Sequence, residues 1–358
     1  MAQIAVVGCG AIGGLAGFYM ARAGERVLFV DRNADHARAI RERGLAVNGV
    51  YGPMAIGPQP ACTPDEINES LDGLVFLACK SQATEEAVRG IVPRLGASAC
   101  VVSLQNGMNE DAIAAIVGRG RTMGALPDYG GAYLDPGILE AVHEGIVYVG
   151  ELDGVLTPRV REAARLLGIG PNTCELLTDI AGRLWTKQVY NSQILVSALV
   201  DDTIVNVLGR RSAQRLAGAA VREAMRVSDA AGTRLQRDVW FDPALYRVAT
   251  ADDTARLLAT YDRLVEHLGG HQRNDGPTAY RYVKRASGIH WDIVYRKRKS
   301  EAFYLSVVCV ADRYGAQVPL NTRIVDALAD VEGGRRTLGW HNIEELTAYA
   351  EQIGAALP

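Results

Sequence analysis

The sequence contains no C-x-x-C pair, and none of its six cysteines has histidine partners at metal-ligand spacing. Cys9, Cys62, Cys79, Cys100, Cys174 and Cys309 are scattered, several of them inside apolar runs where a thiol packs as a small hydrophobe. No metal is expected, and a reducing, cytoplasmic setting fits this usage. No uninterrupted apolar stretch reaches the ~18 residues of a membrane span. The chain enters its first strand at once, which leaves no room for a signal peptide. Charge of one sign is lacking too: 38 Lys and Arg against 41 Asp and Glu leave a net −3. Neither nucleic acid nor an anionic membrane is therefore expected as a partner. The one basic run, Arg296-Lys297-Arg298-Lys299, reads as a solvated helix turn. Repeats and low-complexity tracts are absent. What remains is an ordinary globular composition, 48% hydrophobic and 22% charged, in 358 residues, enough for two domains with cores of their own.

The organising stretch is Ile4-Ala5-Val6-Val7 running into Gly8-Cys9-Gly10-Ala11-Ile12-Gly13. It reads as a buried strand, a tight glycine turn and the start of a helix. Gly8 permits the turn, Gly10 lets the backbone approach a pyrophosphate, and Gly13 lets helix and strand pack closely. The helix N-terminus offers free N–H groups to the phosphates. A helix over Leu15–Ala23 and a second strand, Val27–Val30, follow, ending in Asp31, 18 positions after Gly13. A carboxylate there suits the adenosine ribose. Asp31 disfavours a 2′-phosphate and points to NAD, whereas the adjacent Arg32 could stack on adenine or hold that phosphate.

Further on, Gly73–Cys79 is a buried strand ending in Lys80, at the strand end where open α/β sheets bind ligands. A solvated loop lysine is the plainer alternative. Ala99–Leu104 is another strand, ending in Gln105-Asn106-Gly107, and Asn106 reads equally as a turn residue or a site residue. Strands near Arg121–Leu126 and Ile146–Gly150 continue the alternation, which supports a mainly parallel sheet with helices on both faces. The pattern turns helical near Gly168–Asn172. The expected organisation is a Rossmann domain over 1–172 and a helical domain over 173–358. Asp179–Val200 reads as one long helix with Lys187, Asn191 and Leu195 on one face. Left without partners, a buried lysine and asparagine would cost several kcal/mol, so that face is either wet or meets a polar ligand.

With these landmarks the chain resembles the ketopantoate reductase family over nearly its whole length. The pieces are Gly8–Gly13, Lys80, Asn106-Gly107-Met108, Leu184-Trp185-Thr186-Lys187 with Asn191, Lys299-Ser300-Glu301, and Val318-Pro319-Leu320-Asn321-Thr322. The resemblance implies an N-terminal Rossmann domain holding NADPH and a helical domain that closes over the substrate. It implies hydride transfer to the 2-oxo carbon of a small carboxylic acid and a homodimer through the C-terminal helices. By the same resemblance Lys187 is the general acid and Glu301 hydrogen-bonds the nascent hydroxyl. Asn191 contacts substrate, Lys80 and Asn106 line the nicotinamide–ribose side, and Ser287 contacts the substrate carboxylate. His290, near Ser287, could be a substrate contact, with a surface or core histidine the plainer reading.

The departures from the family pattern are specific. Leu195 stands where a second asparagine is usual, and Glu301 is followed by Ala302-Phe303-Tyr304-Leu305-Ser306 instead of an Ile-Asp or Val-Asp pair. Counting back from Pro319 puts Lys299 in the glutamate's place, so a one-residue gap is needed to recover Glu301. The extra length falls mainly in an insertion around 232–285, and Asp31 is unusual beside NADPH. Reductase chemistry on a 2-oxo acid, ketopantoate by default, is the expectation. An NAD-dependent D-2-hydroxy-acid dehydrogenase of mandelate type and a non-catalytic dinucleotide-binding sensor are the rivals.

Overall fold

A computed structural model describes residues 4–238, 241–271 and 286–358, with the side chains of 267–271 outside the description. Of the insertion around 232–285, residues 239–240 and 272–285 lie outside the described residues. The chain divides into two compact units, Met1–Ala181 and Gly182–Pro358.

In the first unit, strands β1 (Ile4–Val7), β2 (Val27–Val30), β5 (Ala61–Cys62), β6 (Leu74–Leu77), β7 (Cys100–Leu104), β8 (Thr122–Pro127), β11 (Ile146–Glu151) and β12 (Thr173–Leu176) form one sheet. Their order is β12-β11-β8-β7-β6-β1-β2-β5. All neighbours are parallel except β11 on β8. Burial explains the apolar runs. Ile4, Val6, Phe29, Phe76 and Val102 pack on one face, and Ala5, Val7, Leu28, Val75 and Val101 pack on the other. The helices are α1 (Ala11–Arg22), α2 (Ala34–Arg43), α3 (Thr84–Ile91), α4 (Glu110–Val117) and α5 (Pro158–Leu167). The central strand β1 lies between β2 and β6, with the chain crossing to opposite sides of it. This is the switch point where open sheets of this kind take ligands.

A second sheet escaped the sequence reading. Strands β3 (Leu45–Gly49), β4 (Met54–Ile56), β9 (Gly130–Asp135) and β10 (Ile138–His143) pair in the order β4-β3-β10-β9. Ala46 pairs with Ile138, a partner distant in sequence, and no local signal announces such a pairing.

In the second unit the described secondary structure is helical. It comprises α6 (Ile180–Ser197, whose first two residues belong to the first unit), α7 (Ile204–Leu208), α8 (Arg211–Ala230), α9 (Ala251–His271), α10 (Gly288–His290), α11 (Val308–Ala311), α12 (Pro319–Glu332) and α13 (Trp340–Gln352). Helix α8 buries Leu216, Ala217, Ala220, Val221, Ala224 and Val227 and packs against α9, α12 and α13. The start of α12 explains the Val318-Pro319-Leu320-Asn321 motif structurally. Pro319 opens the helix, and Glu223 of α8, 1% exposed, accepts from the N–H groups of Leu320 (3.1 Å) and Asn321 (2.7 Å). The Asn321 side-chain amide donates to the same carboxylate at 2.9 Å. A carboxylate from a neighbouring helix thus caps orphan donors and faces the positive end of the dipole. Among the described residues no helix is long and apolar enough to cross a membrane.

Candidate active site

The first unit gathers Gly8–Gly13, Asp31, Lys80 and Asn106 at the carboxyl ends of β1, β2, β6 and β7. Gly8 has φ +89°, and a Cβ on it would stand 2.7 Å from the backbone nitrogen of Cys79. A Cβ on Gly13 would stand 2.2 Å from the carbonyl oxygen of Gly8. These two positions therefore need glycine for the fold. Gly10 differs: a Cβ there would meet nothing within 4 Å. It is the N-cap of α1 and makes no side-chain cap, and Ala11 and Ile12 follow as the first helical residues. An open space against uncapped helix N–H groups fits an anionic diphosphate.

Asp31 holds this turn in place. Its Oδ2 accepts from the Cys9 N–H at 2.7 Å and its Oδ1 from the Asn33 N–H at 2.8 Å, while Arg32 is exposed. Cys9 is fully buried, and burial, with the Asp31 charge adding, pushes its thiol well above the ordinary range. It is packing, not a nucleophile. His36, on α2, carries no local sequence signal of its role. It is 1% exposed, its Nε2 lies 2.8 Å from the Cys9 carbonyl oxygen, and its Nδ1 accepts from the Gly137 N–H at 3.0 Å. These partners place the ring hydrogen on Nε2 of a neutral imidazole, which ties the glycine turn to the β9–β10 hairpin.

Lys80, half-buried, opens the turn after β6. The next residue, Ser81, donates through Oγ to the Asn106 carbonyl at 2.8 Å, and Asn109 Nδ2 donates to the same oxygen at 2.8 Å. Gln105 Nε2 donates to the Cys79 carbonyl at 2.8 Å. The loops carrying Lys80 and Asn106 are thus laced together by buried amides and hydroxyls.

In the second unit, Lys187 is half-buried on α6, its Nζ 5.3 Å from the centre of the Tyr190 ring. One turn on, Asn191 is 6% exposed and its side-chain amide has no hydrogen bond to another described residue. Leu195, a further turn along, is fully buried and belongs to the core. Gln188, also missed from sequence, links Lys187's helix to Glu301's segment: its Nε2 donates to the carbonyl oxygens of Tyr304 (3.0 Å) and Ser306 (2.7 Å). Glu301 is half-buried in a turn pinned by Ser300, whose N–H donates to Glu332 at 3.0 Å. Ser287 has a structural role. It is 2% exposed and caps α10, its Oγ accepting from the His290 N–H at 3.2 Å. His290 is a core residue, 3% exposed, with Nε2 3.1 Å from Asp201. The basic run is not simply solvated, because Arg296 and Arg298 both bind the buried carboxylate of Asp292, at 2.9 and 2.8 Å.

A Rossmann-type unit joined to a helical unit that carries a lysine–asparagine helix and a nearby glutamate defines a class of two-domain dinucleotide-fold proteins. The model of the ketopantoate reductase PanE/ApbA family matches residues 4–154, and that of its C-terminal domain matches residues 179–332. The chain belongs to the ketopantoate reductase PanE/ApbA family. A curated relative, the 2-dehydropantoate 2-reductase of Pyrococcus horikoshii, is 30% identical over 197 residues, 54% of this chain and 62% of that protein's length. The chain therefore matches less than two thirds of that relative. Among solved structures, a PanE/ApbA family ketopantoate reductase from Ralstonia eutropha JMP134 superposes with a TM-score of 0.74. It is 21% identical, with 93% of this chain and 99% of that one covered. D-mandelate dehydrogenase, in a ternary structure with NADH and anilino(oxo)acetate, also gives 0.74, at 18% identity and with 93% and 99% covered. These likenesses establish the fold.

Proposed function

We propose that the chain is an NAD(P)H-dependent reductase of a small 2-oxo acid, ketopantoate to pantoate or a close relative of that pair. The observation that carries the reading is the family match over both units, with Lys187 and the buried Asn191 one turn apart on one helix face. When bound, the reduced nicotinamide supplies a hydride to the 2-oxo carbon. The chain's own residues do the rest. Gly10 and the N-terminus of α1 receive the diphosphate, and Asp31 receives the adenosine ribose. Lys80 and Asn106 line the nicotinamide–ribose side. The Lys187 ammonium donates a hydrogen bond to the substrate carbonyl oxygen and transfers a proton to it as negative charge develops there. Lys187 is left neutral and regains its proton from water. Glu301 accepts from the new hydroxyl and Asn191 orients the substrate through its amide. Ser287 contributes to the carboxylate end through the hydroxyl hydrogen that its capping role leaves over.

A second reading, an NADH-linked D-2-hydroxy-acid dehydrogenase, is favoured by Asp31. Its carboxylate is held at the turn by two backbone N–H groups, and a carboxylate closing this strand suits an unphosphorylated ribose and disfavours a 2′-phosphate. A homodimer through the helical unit accompanies both readings. The test is Lys187→Ala: turnover should fall by roughly 100-fold or more with dinucleotide affinity little changed. Survival of turnover would remove Lys187 from its role. Binding without turnover in the wild-type protein on every 2-oxo acid tried would favour a sensor.

A further inference from the structure

Tyr133, on β9 of the second sheet, has no role in the site as described above. It is half-buried, and Asn33 ties it to Asp31. The Asn33 N–H donates to Asp31 Oδ1 at 2.8 Å. The Asn33 side-chain oxygen accepts from the N–H groups of Asp35 (3.1 Å) and His36 (3.3 Å), which caps α2. The other end of that amide, Nδ2, then faces Tyr133 and donates to its Oη at 3.3 Å. The tyrosine ring stands edge-on to the His36 ring, with 5.0 Å between centres and 84° between planes. His36 is itself locked by the Cys9 carbonyl and the Gly137 N–H. Tyr133 is therefore held from two sides, and its hydroxyl hydrogen goes to no described residue.

An acceptor and a donor thus stand together at the end of β2. Each Asp31 oxygen accepts one backbone N–H and keeps a lone pair, while Tyr133 keeps its hydrogen. A vicinal diol complements that pair: its hydroxyls donate to the carboxylate, and one of its oxygens accepts from the phenol. The surroundings are acidic. Burial, followed by the charges of Asp31, Asp135 and Asp35, lifts the Tyr133 hydroxyl above its ordinary range, which keeps it a donor. Of those three carboxylates only Asp35 has an ion pair among the described residues, with Arg38 at 2.6 Å.

We propose that Tyr133 is a specificity-determining residue of the dinucleotide site: its hydroxyl donates to the 2′-oxygen of an unphosphorylated adenosine ribose, in a pocket whose acids reject a 2′-phosphate. The inference rests on the dinucleotide reading above and brings the second sheet into it. A 2′-phosphate can accept the same hydrogen. It would, however, bring about −1.5 to −2 charges beside two carboxylates with no described ion pair, a repulsion that the exposed Arg32 only partly offsets.

The test is fluorescence titration of the full chain with NADH, with NADPH, and with an NADH analogue lacking the 2′-hydroxyl of its adenosine. Tyr133→Phe keeps the ring against His36 and removes only the hydroxyl. It should weaken NADH binding by about 3–10-fold, the worth of one hydrogen bond, and leave affinity for the 2′-deoxy analogue unchanged. Asp135→Asn, at an exposed position at the end of β9, should tighten NADPH several-fold at low salt and leave NADH as it was. Unchanged NADH affinity in Tyr133→Phe overturns the inference, and so does an equal loss for NADH and its 2′-deoxy analogue. NADPH affinity unmoved in Asp135→Asn, or tighter binding of NADPH than of NADH by the wild type, overturns it as well. Each of these results leaves the dinucleotide reading standing. No binding of any of the three by the wild type overturns that reading itself, and this inference with it.

Discussion

Gly10→Ala separates what the glycine turn does for the fold from what it does for a ligand. Gly10 has φ −69° and ψ −151°, an extended conformation open to alanine with modest strain. A Cβ added there meets no protein atom within 4 Å. Two small terms act on stability. Alanine is a poorer N-cap than glycine, which costs up to ~1 kcal/mol. Replacing glycine reduces the freedom of the unfolded chain, a gain of about 0.4–1 kcal/mol. The two nearly cancel, so denaturant unfolding should stay within ~1 kcal/mol of the wild type. Binding is another matter. The new methyl group occupies the space through which a diphosphate approaches the helix N–H groups, so NADH and NADPH affinity should fall by at least ~30-fold, about 2 kcal/mol. Gly13→Ala is the contrast. Its Cβ would sit 2.2 Å from a backbone oxygen that cannot move away cheaply, and it should destabilise the protein by roughly 3 kcal/mol or more. Unchanged dinucleotide affinity in a folded Gly10→Ala protein would refute the assignment of this turn to the diphosphate.

Two further outcomes follow from the same edge of the sheet. His36→Ala strips partners from the buried Cys9 carbonyl and Gly137 N–H, and should cost about 2–4 kcal/mol in urea unfolding, with weaker dinucleotide binding. A cost under ~1 kcal/mol would show that water replaces the ring without penalty. Asp31→Ala should raise the NADPH-to-NADH ratio of kcat/KM by about tenfold or more. Some stability should be lost too, because the carboxylate also holds Cys9 and Asn33 N–H groups. An unchanged ratio would remove Asp31 from cofactor choice.

The elements legible in the sequence were those whose chemistry is local. The Gly8–Gly13 turn, the apolar runs of β1, β2, β6 and β7 and the acid closing β2 declare themselves within a few residues, because strand, turn and helix start are coded by neighbouring side chains. The long helix with Lys187 and Asn191 on one face was legible for the same reason. What stayed hidden depends on partners distant in sequence. The β3–β10 pairing joins residues near 46 to residues near 138. His36 looks like an ordinary helix residue until the Cys9 carbonyl and the Gly137 N–H are placed on its two ring nitrogens. Glu223, 97 residues from Leu320, gives no sign in sequence that it caps α12. Ser287 carries a role that its sequence position did not announce: its Oγ caps a short helix. Leu195 reads as a changed site residue, yet it is fully buried in the core of its unit.

The measurement that bears most directly on the central proposal is nicotinamide oxidation by the purified protein. NADH and NADPH would be offered separately, with ketopantoate and with a panel of bulkier 2-oxo acids. The account predicts turnover of at least one 2-oxo acid, lost by roughly 100-fold or more in Lys187→Ala. Ketopantoate with NADPH would mark a ketopantoate reductase tolerant of Leu195 and the altered Glu301 segment. A bulkier acid with NADH would mark the dehydrogenase branch. No oxidation of either dinucleotide with any 2-oxo acid, by a folded protein that binds them, would contradict the account.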